Sequence, residues 1–145
     1  MSDNDAAILL VEDDRVDIMT VQRALSRHQI GNPLHVARTA PDALGMLRGQ
    51  GFPKIEPPPA LILLDLNLPK MSGIEFLREL RMDPELRELR VIVLTSSNEP
   101  NDRAAAFRYD VEDYIVKPHS FDEFATAIRT VLAYALPRQV PLGLG

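Results

Sequence analysis

The amino-acid sequence predicts an α/β protein, a doubly wound parallel sheet of five strands with five helices. Short apolar runs of strand length alternate five times with longer stretches of helical period, which is the pattern of parallel strands joined by helical crossovers. Capping and breaking residues, among them Asp14, Thr39, Pro84, Ser120 and Pro137, fall at the joins. The 145 residues, 46% of them hydrophobic, match one domain with a full core. The expectation is a single domain over 1–145, its core spanning about 8–136, with a short C-terminal tail at 137–145.

In chain order, "AILLVE" (Ala7 to Glu12) is an apolar run ending in acids, and Asp14 can cap a helix that repeats Ile18, Val21 and Leu25 on one face. "PLHVAR" is a second, weaker strand. Thr39 followed by Asp42 resembles a capping box for a helix through Leu47, with Pro41 tolerated in its first turn. "GQGFPKIEPPP" (Gly49 to Pro59) is too rich in Gly and Pro for helix or central strand and reads as a loop or insertion. The third strand runs from Leu61 to Asp65, and its helix from about Gly73 to Arg81 stops near Asp83 and Pro84, since a residue before proline is pushed out of helical geometry. "VIVLT" (Val91 to Thr95) is the fourth strand, followed by a helix around Pro100 to Arg108, and "YIVK" (Tyr114 to Lys117) is the fifth. Ser120 with Glu123 opens a last helix to about Leu136, where Pro137 ends it.

Composition narrows the function. No apolar run approaches bilayer length, and the start "MSDNDAA" lacks the plan of a signal peptide, so the chain reads as cytoplasmic, without a membrane partner. There are no cysteines, and His28, His35 and His119 are widely spread, so a bound metal would have oxygen ligands. The formal net charge of -5 and the lack of a basic stripe argue against nucleic-acid binding.

Ligands of doubly wound folds sit beyond the carboxyl ends of the strands. Glu12 and Asp13 follow the first strand, Asp65 ends the third, Thr95 the fourth and Lys117 the fifth. Taken singly, Asp65 reads as a turn former, Asp14 as a cap, Thr95 as an ordinary strand residue and Lys117 as surface. Taken together they place three acids, a hydroxyl and a lysine on one edge of one sheet. Crowded carboxylates need a compensating cation, and oxygen ligands with room for waters and a phosphate suit Mg²⁺ better than Ca²⁺.

At these residues the chain resembles response-regulator receiver domains, the phospho-accepting half of two-component signalling, from about Ile8 to Leu136. The resemblance implies the flavodoxin-like strand order 2-1-3-4-5. It makes Asp65 the phosphorylation site and gives the metal to Glu12, Asp13, Asp65 and the Asn67 carbonyl, with Glu12 standing where many members have Asp and reaching a metal-bound water. Thr95, Ser96 and Lys117 become phosphate-binding residues, the Lys117–Pro118 bond is expected to be cis, and Tyr114 becomes a rotamer switch. Asn67 and Ser97 flank the route of attacking water and are expected to set the lifetime of the acyl phosphate. The Pro-rich insertion with "LLDLNLPKMSG", "LTSSNEPND" and "DYIVKPHS" resembles single-domain receivers that serve phytochrome histidine kinases. On this reading the partner is a sensor histidine kinase, and the protein assists its own phosphorylation without being a turnover enzyme.

Two other classes compete. A phosphatase of the haloacid dehalogenase type also uses an aspartate nucleophile, Mg²⁺ and a lysine, but wants a second aspartate where Asn67 stands. A pure interaction module would not need the intact set of Glu12, Asp13, Asp65, Thr95 and Lys117. A homodimer is also expected, through the fourth helix, fifth strand and last helix. "VLAYAL" (Val131 to Leu136) is apolar on every side, so Tyr114, Phe121, Val131 and Tyr134 are the expected contacts, the alternative being that the tail "PRQVPLGLG" covers the second face.

Overall fold

The structure, a computed structural model, describes residues 6–135, excluding the side chains of Tyr134 and Ala135. The expected helix end at Pro137, the tail 137–145 and the Tyr134 dimer contact lie outside the described residues. Five strands alternate with five helices: β1 (Ile8–Val11), α1 (Arg15–Arg27), β2 (Leu34–Ala37), α2 (Ala40–Arg48), β3 (Leu61–Leu64), α3 (Gly73–Met82), β4 (Val91–Thr95), α4 (Pro100–Phe107), β5 (Asp113–Val116) and α5 (Phe121–Ala135). The sheet runs β2-β1-β3-β4-β5. Every pairing is parallel, with Ile8 opposite both Leu34 and Leu61, Ile62 opposite Val91 and Ile92 opposite Asp113.

Alternation along the strands divides the core in two. Leu9, Val11, Ile62 and Leu64 face α2, α3 and α4, where Leu44, Phe76, Leu77, Leu80 and Ala106 meet them. Ile8, Leu10, Leu61 and Leu63 face the other way, onto Ile18, Val21 and Leu25 of α1 and Phe124, Ile128, Val131 and Leu132 of α5. The central strands β1, β3 and β4 are therefore apolar on both sides, which is why their sequences read as unbroken runs. The polar residues that end these runs fall just past the strands, at the edge where the layers part.

Helix starts follow cap chemistry. Asp14 Oδ1 accepts from the N–H groups of Val16 (2.8 Å) and Asp17 (3.1 Å), Thr39 Oγ1 from Asp42 (3.1 Å) and Ser120 Oγ from Glu123 (3.1 Å). Ser72 and Glu75 close a reciprocal capping box on α3. Gly49, at φ 71°, ends α2 in the left-handed conformation that glycine adopts without a steric penalty. The insertion that follows has neither helix nor strand. Its Ile55 is buried, with its N–H bonded to the Met46 carbonyl at 3.0 Å. Arg81 fastens the end of α3 to two loops by donating to the carbonyls of Arg87, Leu89, Tyr109 and Asp110.

The expected dimer contacts need correction. Val131 is 3% exposed and Tyr114 5% exposed, because the spacing Phe124, Ile128, Val131 puts Val131 on the core stripe of α5 and Tyr114 points into the α3–α4 layer. Phe121 is half-buried under the guanidinium groups of Arg23 and Arg27, at 4.9 and 5.6 Å from its ring centre, so it serves the α1–α5 contact.

Gly73 opens α3 where a Cβ would stand 2.6 Å from both the Asp65 carbonyl oxygen and Leu66 Cα. These are backbone atoms and cannot swing aside. Gly73→Ala is expected to cost about 1–3 kcal/mol of stability by forcing the β3–α3 loop outward, measured as a lowered urea midpoint. A midpoint equal to wild type would show that the loop yields freely.

Candidate functional site

Backbone pairing sets the positions of the polar side chains. The Glu12 N–H donates to the Ala37 carbonyl (3.0 Å), the Asp65 N–H to Val11 (3.0 Å) and the Lys117 N–H to Thr95 (2.8 Å), so each extends the sheet by one rung. Adjacent parallel strands in register then deliver Glu12, Asp65, Thr95 and Lys117 to the same edge. Glu12, Asp65 and Thr95 are buried, while Asp13 is half-buried, its carbonyl accepting from Arg38 Nη2 at 2.9 Å.

Lys117 is the hub, its side chain only 9% exposed. Its Nζ donates to Glu12 Oε1 and Asp17 Oδ2, each at 2.7 Å, and stands 3.5 Å from Asp65 Oδ2. Thr95 Oγ1 donates to Asp65 Oδ1 at 2.7 Å, and the Asn67 N–H approaches the same oxygen at 3.3 Å. Burial pushes the Glu12 carboxyl up to about 7, with the charge of Asp65 adding to the rise, against the opposing bonds from Lys117 and the Asp14 N–H. Burial pulls Lys117 down, but its bonds to Asp17 and Glu12 and the charges of Glu12 and Asp65 outweigh that and hold it above the ordinary lysine range.

Glu12, Asp13 and Asp65 each offer an oxygen, all within 4.8 Å of one another. Three carboxylate oxygens without nitrogen or sulfur fit a hard divalent cation.

A second set of bonds leads away from Asp65. The Ser97 N–H donates to Thr95 Oγ1 at 3.3 Å, the Tyr114 hydroxyl to the Ser97 carbonyl at 3.0 Å, and Ser97 Oγ to Asp102 Oδ2. Arg103 lies over Tyr114, 5.2 Å from its ring centre. Ser96 stands exposed beside Thr95, and Asn67 is also exposed. The structure thus brings Glu12, Asp13, Asp65, Thr95 and Lys117 together, ties Ser97 and Tyr114 to them, and leaves the Ser96 side chain outside the bonded set.

The cis bond expected at Lys117–Pro118 is absent; the cis peptide among the described residues is Glu56–Pro57. The two isomers before proline differ by only about 0.5–1 kcal/mol, so local sequence does not fix which one is adopted. Asp17 was not expected at the site. The signal was available, since it is the fourth acid of "EDDRVD" and lies in the first turn of α1.

A five-stranded receiver-like sheet, with an acidic cluster, a hydroxyl and a lysine at one edge, defines a phospho-signalling class. The chain belongs to the response regulator receiver domain family, whose model matches residues 8–129. It is 36% identical over 129 residues to Response regulator Rcp1 of Synechocystis sp., across 89% of this chain and 88% of that protein. The structure of the phosphorylated cyanobacterial phytochrome response regulator RcpA matches with a TM-score of 0.84 and 32% identity, covering 92% of this chain and 99% of that one. The Mn²⁺-bound form of Rcp1 matches at 0.82 with 34% identity and the same coverage. The chain is accordingly a two-component receiver with a signalling role, homologous to phytochrome response regulators. Among the described residues no helix is long and apolar enough to cross a membrane.

The carboxylate cluster generates a direct expectation. Mg²⁺ or Mn²⁺ at a hundred times its dissociation constant should raise folding stability by about 2.7 kcal/mol, seen as a higher melting temperature. Asp13→Asn should remove most of that increment, and a variant stabilised as much as wild type would show that the ion binds elsewhere.

Proposed function

We propose that the protein accepts a phosphoryl group on Asp65 from a phosphohistidine of a sensor histidine kinase, and signals through the packing of Thr95 and Tyr114. One observation carries the reading: Asp65 is buried with carboxylates on one side and Lys117 and Thr95 on the other. A carboxylate oxygen attacks phosphorus, the P–N bond breaks, and its electron pair leaves on the imidazole. Transfer of this kind has a loose transition state, so positioning and charge do most of the catalysis. Glu12, Asp13, Asp65 and the Asn67 carbonyl would hold Mg²⁺, which neutralises phosphoryl charge when bound. Lys117 covers another phosphoryl oxygen, and Ser96 beside Thr95 is placed to bind the same group. In this sense the protein assists its own phosphorylation.

Thr95 supplies the switch. Its hydroxyl now donates to Asp65 Oδ1, and a phosphoryl oxygen would take over as acceptor and draw it outward. Ser97, bonded to both Thr95 and Tyr114, couples that movement to the inward-packed Tyr114 ring. Water later attacks phosphorus and releases Asp65, with Asn67 and Ser97 flanking its approach and setting the lifetime.

Similarity to RcpA and Rcp1 favours a phytochrome-type kinase as the donor. Purified phosphorylated histidine kinases, phytochromes first, should transfer label rapidly to wild type and not to Asp65→Asn. Stable labelling of that variant to the wild-type level would overturn the assignment.

Self-association through α4, β5 and α5 belongs to the same proposal, with Phe107 and Val116, 41% and 36% exposed, as contacts in place of the buried Tyr114 and Val131. Light scattering over a concentration series should show a dimer mass that Val116→Glu lowers. A wild-type mass that stays monomeric, phosphorylated or not, would exclude the pairing.

A further inference from the structure

Three carboxylates surround the Lys117 ammonium, and they are not equivalent. Glu12 and Asp65 belong to the cluster that fits a divalent cation, and Asp65 is also the proposed acceptor. Asp17 is outside that cluster, yet its Oδ2 takes a 2.7 Å bond from Nζ, as short as the one to Glu12. Of the three, Asp17 is the carboxylate that neither the cation cluster nor the acceptor role claims.

The start of α1 is built to leave Asp17 free for this. Asp14 is the N-cap, so Asp17 occupies the third helical position, where an acid ordinarily reaches back to the N-cap backbone N–H. Here that N–H is already satisfied by Glu12 Oε2 at 3.1 Å, and the Asp17 carboxylate goes to Lys117 instead. An ammonium has three donors. Glu12 and Asp17 take two, and Asp65 Oδ2, at 3.5 Å, is the third acidic neighbour. One N–H therefore remains for a group arriving on Asp65.

We propose that Asp17 is the positioning residue for Lys117: it fixes the ammonium from the α1 side, so that the remaining donor is presented to the phosphoryl group on Asp65. The inference rests on Asp65 being the acceptor. Asp17 touches no reacting atom and acts only through Lys117.

Beryllofluoride with Mg²⁺, a phosphoryl mimic, tests it by titration of wild type, Asp17→Ala, Asp17→Asn, Lys117→Met and the double variant Asp17→Ala/Lys117→Met. Asp17→Ala should weaken beryllofluoride binding about tenfold, the size of one charge-assisted bond, while changing Mn²⁺ affinity of the unmodified protein less than about threefold. Asp17→Asn, which keeps an oxygen acceptor and tests the same point if the alanine variant folds poorly, should recover part of the loss. In the Lys117→Met background Asp17→Ala should have no further effect. The proposal is overturned by wild-type affinity in both Asp17 variants, or by an equal loss with and without Lys117. Failure of wild type itself to bind beryllofluoride, or binding that survives Asp65→Asn, would instead overturn the acceptor assignment and this inference with it.

Discussion

A buried lysine among buried acids is the constraint on which the site depends. Lys117 cannot reach bulk water with its side chain 9% exposed, and Glu12, Asp17 and Asp65 are the charges that make its burial tolerable. Removing any one partner of such a set leaves the others less compensated. The ammonium also allows three acids to approach one another before a metal arrives, at the cost of a Glu12 carboxyl that burial drives up to about 7. One cation's bonds are thus shared among three acids.

That sharing is precise because the backbone beneath it is rigid. The charged residues extend parallel strands that are apolar on both sides, and two separate layers of helices press on them. Regular strand structure ends one residue further out. From Thr95 the bonds run to Ser97 and on to Tyr114, along a loop whose only regular structure is the start of α4. Asp65 and Tyr114 are thus linked through a single strand end.

Much of this was legible in the residues. Apolar runs and caps gave five strands and five helices to within a residue or two over the described residues, and the polar residues ending β1, β3, β4 and β5 are the ones the structure gathers at one edge. What was missed depends on direction in space. Asp17 looked like an ordinary acid of a helix's first turn until the fold packed α5 against α1 and brought Lys117, just past β5, to it. Val131 was expected at a dimer contact because "VLAYAL" has no polar side, yet Ile128 and Leu132 place it inward. The isomer before Pro118 is too finely balanced for sequence to fix. Ser72 with Glu75, a complete capping box, was readable and went unread.

The bonds of Lys117 to Glu12 and Asp17 join residues 105 and 100 positions apart. The core face of α1 is likewise completed by α5, the last of the described helices. During synthesis the first half of the protein therefore leaves the ribosome with one side of β1 and β3 covered by α1 alone and Glu12, Asp17 and Asp65 without Lys117. Contacts of such long range form late, and an exposed strand face in the meantime is a hazard that chaperones meet. The same closure has a second side: a chain lacking β5 and α5 has no Lys117 and keeps only α1 of the second layer, so the charged edge and the core beneath it are completed together.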